Sequence, residues 1–150
     1  MNHTTLENIK EIAEQLDWGF RAFIHKTTAQ LLFVPDDNRF SDMDTEAWEE
    51  ELEELENNFS AYDEIDKWTS RESFQIMNDF AGHLTDPLLR SQLFDALSKS
   101  KPFRQFKYVI DNSGDIREQW FDFKNKREQD YVARQLQRLM ETNQDDVSNE

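Results

Sequence analysis

Phe20-Arg21-Ala22-Phe23-Ile24-His25 and Gln30-Leu31-Leu32-Phe33-Val34 are two short runs rich in aromatic, β-branched and aliphatic residues, with Lys26-Thr27-Thr28-Ala29 between them. Runs of this length bounded by turn residues read as strands. Pro35 closes the second, because proline has no amide to give to a ladder. The pair predicts a β-hairpin. In a chain whose remaining pattern is mostly helical, a hairpin makes the fold class α+β.

Upstream, Thr4-Thr5-Leu6-Glu7 has the form of a capping box, and Leu6, Ile9, Ile12, Ala13 and Leu16 follow at helical spacing, with Gly19 available to end the helix. Downstream, Asp36 to Thr45 reads as loop. Ala47 to Asn57 is glutamate-rich, but Trp48, Leu52, Leu55 and Phe59 form the apolar stripe of an amphipathic helix. Tyr62, Ile65 and Trp68 fall in a segment long enough for a third strand. Thr69-Ser70-Arg71-Glu72 is another capping box, opening a helix through Phe74, Met77 and Phe80 to an expected stop at Gly82. Asp86-Pro87 supplies a cap and a first-turn proline for a helix whose core face is Leu89, Leu93 and Leu97. Pro102 opens the next, with Phe103, Phe106, Val109 and Ile110 inward and an end near Gly114. In the last helix Ile116, Trp120 and Phe123 share one face, while Val132, Leu136 and Leu139 lie about half a turn around the axis. Either this helix breaks near Asn125 or its halves contact different layers. The expected architecture is mostly helical: a small antiparallel sheet of hairpin plus third strand, packed with about six helices. Residues 1–140 are expected to form one α+β domain, and 141–150 a disordered acidic tail.

Leu, Ile, Val and Phe make up 36 of 150 residues, or 24%, beside a formal net charge of −15. That is above the roughly 20% below which highly charged chains fail to fold. With no cysteine, disulfides, zinc–thiolate centres and thiol nucleophiles are excluded. The N-terminus lacks the basic start and apolar run of a signal peptide, and no apolar stretch approaches the ~18 residues that cross a bilayer. A cytoplasmic location is expected, without a membrane partner. Charge is uneven along the chain: residues 1–68 hold 5 Lys/Arg against 18 Asp/Glu, residues 99–140 hold 10 against 6.

The run Ser100-Lys101-Pro102-Phe103-Arg104-Gln105-Phe106-Lys107, followed by Arg117-Glu118-Gln119-Trp120-Phe121-Asp122-Phe123, resembles Uncharacterised Protein Family 0158, which carries an "AFRRFK" block and then an "RxxWxxF" block. Ser70 to Phe80 is similar to that family's central helix, S-x-x-x-(aromatic)-x-x-M-x-x-F, and the N-terminal helix and the hairpin ending Phe33-Val34-Pro35-Asp36 fall in the family's order. The glycine usual in the family's hairpin turn is absent here. The resemblance covers nearly the whole chain and implies a one-domain assignment, with no established activity.

The three glycines, Gly19, Gly82 and Gly114, form no phosphate loop or nucleophile elbow. Asp79 and His83 would share a helix face and could orient an imidazole, although helix-end pairs of this kind are mostly structural. Asp42, Asp44 and Glu46, with Glu53, match calcium-loop positions 1, 3, 5 and 12, but Ala47 stands where that loop turns on glycine, so no metal or other cofactor is expected. Glu49 to Glu56 could imitate a phosphate backbone; the plainer reading is the solvated face of a helix. The one region mixing aromatics with cations runs from Phe103 to Arg138. Phe103 and Phe106 being assigned inward, the candidate contact residues are Arg104, Lys107, Arg127, Arg134 and Arg138. A balance of +4 inside a −15 chain is a weak footprint for nucleic acid, so the expected partner is another protein or a second copy of the chain. The reading is a non-enzymatic binding or regulatory module recognising an acidic protein surface. The alternatives are an uncharacterised carboxylate-based enzyme and an acidic nucleic-acid mimic.

Overall fold

The computed structural model describes residues 6–36 and 46–148, with side chains up to residue 143. Among these are six α-helices and one three-stranded antiparallel sheet, as the α+β reading expects. Contacts divide the chain into two units, one formed by residues up to 67 together with those from 129 on, the other by residues 68–128.

In the first unit, α1 (Leu6–Asp17) buries Ile12, Ala13 and Leu16 and gives way at Gly19, whose φ of 99° is open to glycine without cost. The proposed cap residues Thr4 and Thr5 lie outside the described residues. β1 (Phe20–His25) pairs antiparallel with β2 (Leu31–Pro35) in the register Phe23↔Leu32 and Arg21↔Val34. After a 3-10 turn at Glu46–Trp48 and α2 (Glu49–Asn57), β3 (Tyr62–Ile65) joins the other side of β1, giving the order β2-β1-β3. β1 is therefore central, and its adjacent residues Ala22 and Phe23 are buried on opposite faces. Phe23, Leu32, Val34 and Tyr62 form one core with Leu55 of α2, while α1 packs on β1 and Ala22 is also buried. The third strand is shorter than expected: it ends at Ile65, and Trp68 is buried outside it.

The second unit is helical. α3 (Ser70–His83) opens on the expected capping box: the Glu72 amide donates to Thr69 Oγ1 at 3.2 Å, and the Thr69 amide donates to Glu72 Oε1 at 2.9 Å. It ends at His83, one residue past Gly82, so the expected stop holds within the one or two residues by which helix ends vary. α4 (Pro87–Leu97) is capped by Asp86 Oδ1, which accepts from the Leu88 amide at 3.0 Å. α5 (Pro102–Asp111) is followed by a turn through Gly114 at φ 63°. α6 (Ile116–Ser148) begins here, and its residues up to Glu128 belong to this unit. The core gathers Met77, Phe80, Leu93, Phe106, Ile110 and Trp120. The Trp120 ring lies edge-on to Phe80 at 5.3 Å and to Phe106 at 4.8 Å, an arrangement that favours aromatic quadrupoles.

α6 answers the two-faced pattern of the last helix without a break at Asn125. Trp120 is part of the second unit's core, whereas from Gln129 on the helix belongs to the first, where Val132 and Leu136 are buried. Gln135, also buried, bridges to Asp66 of that same unit: the Asp66 amide donates to Oε1 at 2.7 Å and Nε2 donates to the Asp66 carbonyl at 2.9 Å. Two assignments to the core are corrected. Phe59 is 63% exposed and Phe103 is 43% exposed. Both lie at the end of their stripe, where the angle around a helix axis no longer reports how far along it the neighbours reach.

Candidate functional site

α5 is the element that sets the candidate basic residues out. Phe106 and Ile110 are buried on one side, which turns Arg104 and Lys107 to solvent on the other. Neither forms an ion pair among the described residues. Tyr108, four residues on from Arg104, is 69% exposed on the same side.

Arg127 is placed differently. Its NH1 donates to Asp79 Oδ2 at 2.8 Å, its guanidinium lies 5.6 Å from the Phe123 ring centroid, and its side chain is half-buried. This cation joins α6 to α3 within the second unit rather than standing free. Arg134 and Arg138 are exposed on the part of α6 that belongs to the first unit, Arg134 reaching back to the Asp130 carbonyl at 3.4 Å. Arg104, Lys107 and Arg127 thus sit in one unit, and Arg134 and Arg138 in the other.

Asp79 is held through both of its carboxylate oxygens. Gln75 Nε2 donates to its Oδ1 at 2.7 Å and Arg127 to its Oδ2. Burial alone would raise this carboxyl, but hydrogen bonds from Arg127 and Gln75, with the charges of Arg127 and His83, outweigh it and hold Asp79 below the usual carboxylate range. His83 does not meet the carboxylate. Its Nδ1 donates to the Asp79 backbone carbonyl at 2.6 Å, and its ring packs beside Phe123 at 5.4 Å. An ionised carboxylate tied to an arginine is poorly suited to give or take a proton at neutral pH, so this pair is an anchor between helices.

Sequence reasoning missed Arg117, Phe121 and Tyr108. Arg117 Nε donates to Asp111 at 3.2 Å, and its guanidinium lies 4.9 Å from the ring centroid of Phe121, itself 37% exposed. The signal available was the position of Tyr108 opposite the Phe106 and Ile110 side of α5, and of Phe121 turned away from the Trp120 side of α6. An open depression beside α4 is lined by Thr85, Pro87, Arg90, Ser91, Phe94 and Asp95. Asp42 and Asp44 of the calcium-like run lie outside the described residues. Among the described residues, no helix is long and apolar enough to cross a membrane.

The acidic counterpart is α2. Leu55 faces the sheet, and Glu54 accepts from the Tyr62 hydroxyl at 2.8 Å and from Asn58 at 3.0 Å. Glu49, Glu50, Glu53 and Glu56 are exposed.

The family model described as Uncharacterised protein family (UPF0158) matches residues 1–146. A Pseudomonas aeruginosa protein named for the same family is 29% identical over 63 residues, which are 42% of this chain and 41% of the relative. The match therefore spans about two-fifths of the length of that curated relative. No solved structure matches the chain.

Proposed function

We propose that this chain, which belongs to the Uncharacterised protein family (UPF0158), is a non-enzymatic binding module for an acidic protein surface. The observation that carries the reading is the pair Arg104 and Lys107, held out from α5 by the buried Phe106 and Ile110 and without an ion-pair partner among the described residues. Cations fixed on a helix, with their charge unspent, pair with carboxylates of a partner and speed encounter with it. An arginine adds a planar fork that matches a carboxylate in two bonds. Arg134 and Arg138 offer the same chemistry separately, in the first unit, and Arg127 serves by holding α6 to α3 within the second. The proposed setting is the cytoplasm, where a chain without cysteine gives up no stabilising disulfide.

Capture from native lysate on the full chain tests this. The double substitution Arg104→Glu with Lys107→Glu leaves the melting temperature within a degree or two of wild type, because both side chains are exposed (about ±0.5 kcal/mol for such sites). It abolishes the specific partner, and the wild-type complex elutes as salt rises. Capture that survives this variant but is lost when Glu53 and Glu56 become lysine overturns the reading in favour of an acidic mimic.

A further inference from the structure

The outer side of α5 carries more than two cations. Arg104, Lys107, Tyr108 and Asp111 point away from Phe106 and Ile110, with the 43%-exposed Phe103 at the border. Asp111 accepts from Arg117, and Arg117 lies over Phe121, so the face continues onto the start of α6 within the same unit. Exposed aromatics set among arginines are the composition of protein-binding anchors, where flat rings give area at small entropic cost.

The chain itself carries the complement. Residues 68–128 hold 10 Lys/Arg against 9 Asp/Glu, while the rest of the chain holds 7 against 23. On α2 the exposed Glu49, Glu50, Glu53 and Glu56 make no ion pair among the described residues, and Phe59, two residues beyond the helix, is 63% exposed. The exposed acids of α2 match the exposed cations of α5 in charge.

We infer that the α5–α6 face of one copy receives the α2 face of a second copy of the same chain. This rests on the reading that the basic face binds an acidic protein surface, and it names that surface. Arg104, Lys107 and Tyr108 on the one face and Glu49, Glu50, Glu53 and Glu56 on the other are exposed. Repulsion between two chains of net charge −15 is screened beyond about 8 Å at physiological salt, whereas pairs in contact keep their attraction.

Sedimentation velocity on the purified full chain tests the inference over a range of concentrations. Wild type associates as concentration rises. Arg104→Glu with Lys107→Glu weakens the association about tenfold or more, and so does Glu53→Lys with Glu56→Lys. Neither pair shifts the melting temperature, since all four positions are exposed. Mixing the two variants restores association, because the lysines of one copy then meet the glutamates of the other. A wild type that stays monomeric, variants that associate like wild type, or a mixture without rescue would each overturn the second-copy inference. Lysate capture separates the two readings. If the chain is monomeric but capture still requires Arg104 and Lys107, only the second-copy inference falls; if capture is also indifferent to them, both fall.

Discussion

Between β1 and β2 the turn contains no glycine, and two residues supply what a glycine would. Ala29 takes φ 64° itself, and His25 Nδ1 accepts from the amides of Thr27 and Thr28, each at 3.1 Å. A ring nitrogen that accepts two amides carries no proton, which places the imidazole proton on Nε2. The left-handed conformation costs a non-glycine residue about 1–2 kcal/mol, and glycine forfeits about half of that gain through the freer unfolded chain. Ala29→Gly is therefore expected to stabilise by about 0.5–1 kcal/mol in urea unfolding; a loss would show that the Ala29 methyl contributes packing. Tyr62 illustrates a different residue-level coupling. Burial, then its hydrogen bond to Glu54 and the charge of Glu54, push its phenol from 10.0 up to about 12. A pKa raised on folding means stability fully present below pH 10 and lost as pH rises through 12. Tyr62→Phe should cost about 1.5–3 kcal/mol at neutral pH, where Glu54 loses a donor, and should flatten the alkaline decline in unfolding free energy. A decline unchanged in the variant would assign it to other groups.

Elements with a local chemical signature were legible in the sequence. The Thr69–Glu72 box and the Asp86-Pro87 cap needed no knowledge of distant residues, and each begins a helix where expected. The hairpin was legible for the same reason: its strands are bounded by a turn and by Pro35. What failed depended on residues far away in sequence. Phe103 stands in the first turn of α5 and Phe59 beyond the end of α2, and exposure at such places is decided by neighbours from other elements. Arg127 was read as a free cation because Asp79, its partner, lies 48 residues earlier. The half of the candidate site on α5 was recoverable from helical spacing, whereas the addition of Arg117 and Phe121 required the turn after α5. In α6 the pattern itself announced two different packing environments. Trp120→Ala should cost about 3–5 kcal/mol, as truncation of a buried aromatic does; a loss below about 1 kcal/mol in chemical unfolding would remove Trp120 from the core.

At the scale of the whole molecule, α6 is the element that both units use. Its first part supplies Trp120 to the core of the second, and its later part supplies Val132, Leu136 and Gln135 to the first. A helix propagates cooperatively, since each added residue gains a hydrogen bond only if the preceding turn is formed. Melting α6 at one end therefore removes support at the other, and we propose that the chain unfolds as one domain despite its division into a strongly acidic and a nearly neutral unit. Native-state hydrogen exchange in Trp120→Ala measures this directly. If the chain is one cooperative domain, the protection of Phe23 in β1 falls by about as much as that of Met77 in α3, although Phe23 belongs to the other core. Salt should then raise the stability read at both amides together, because it screens the self-repulsion of the acidic residues. Protection lost at Met77 but retained at Phe23 would mean that α6 does not transmit the loss, and that the two units unfold independently.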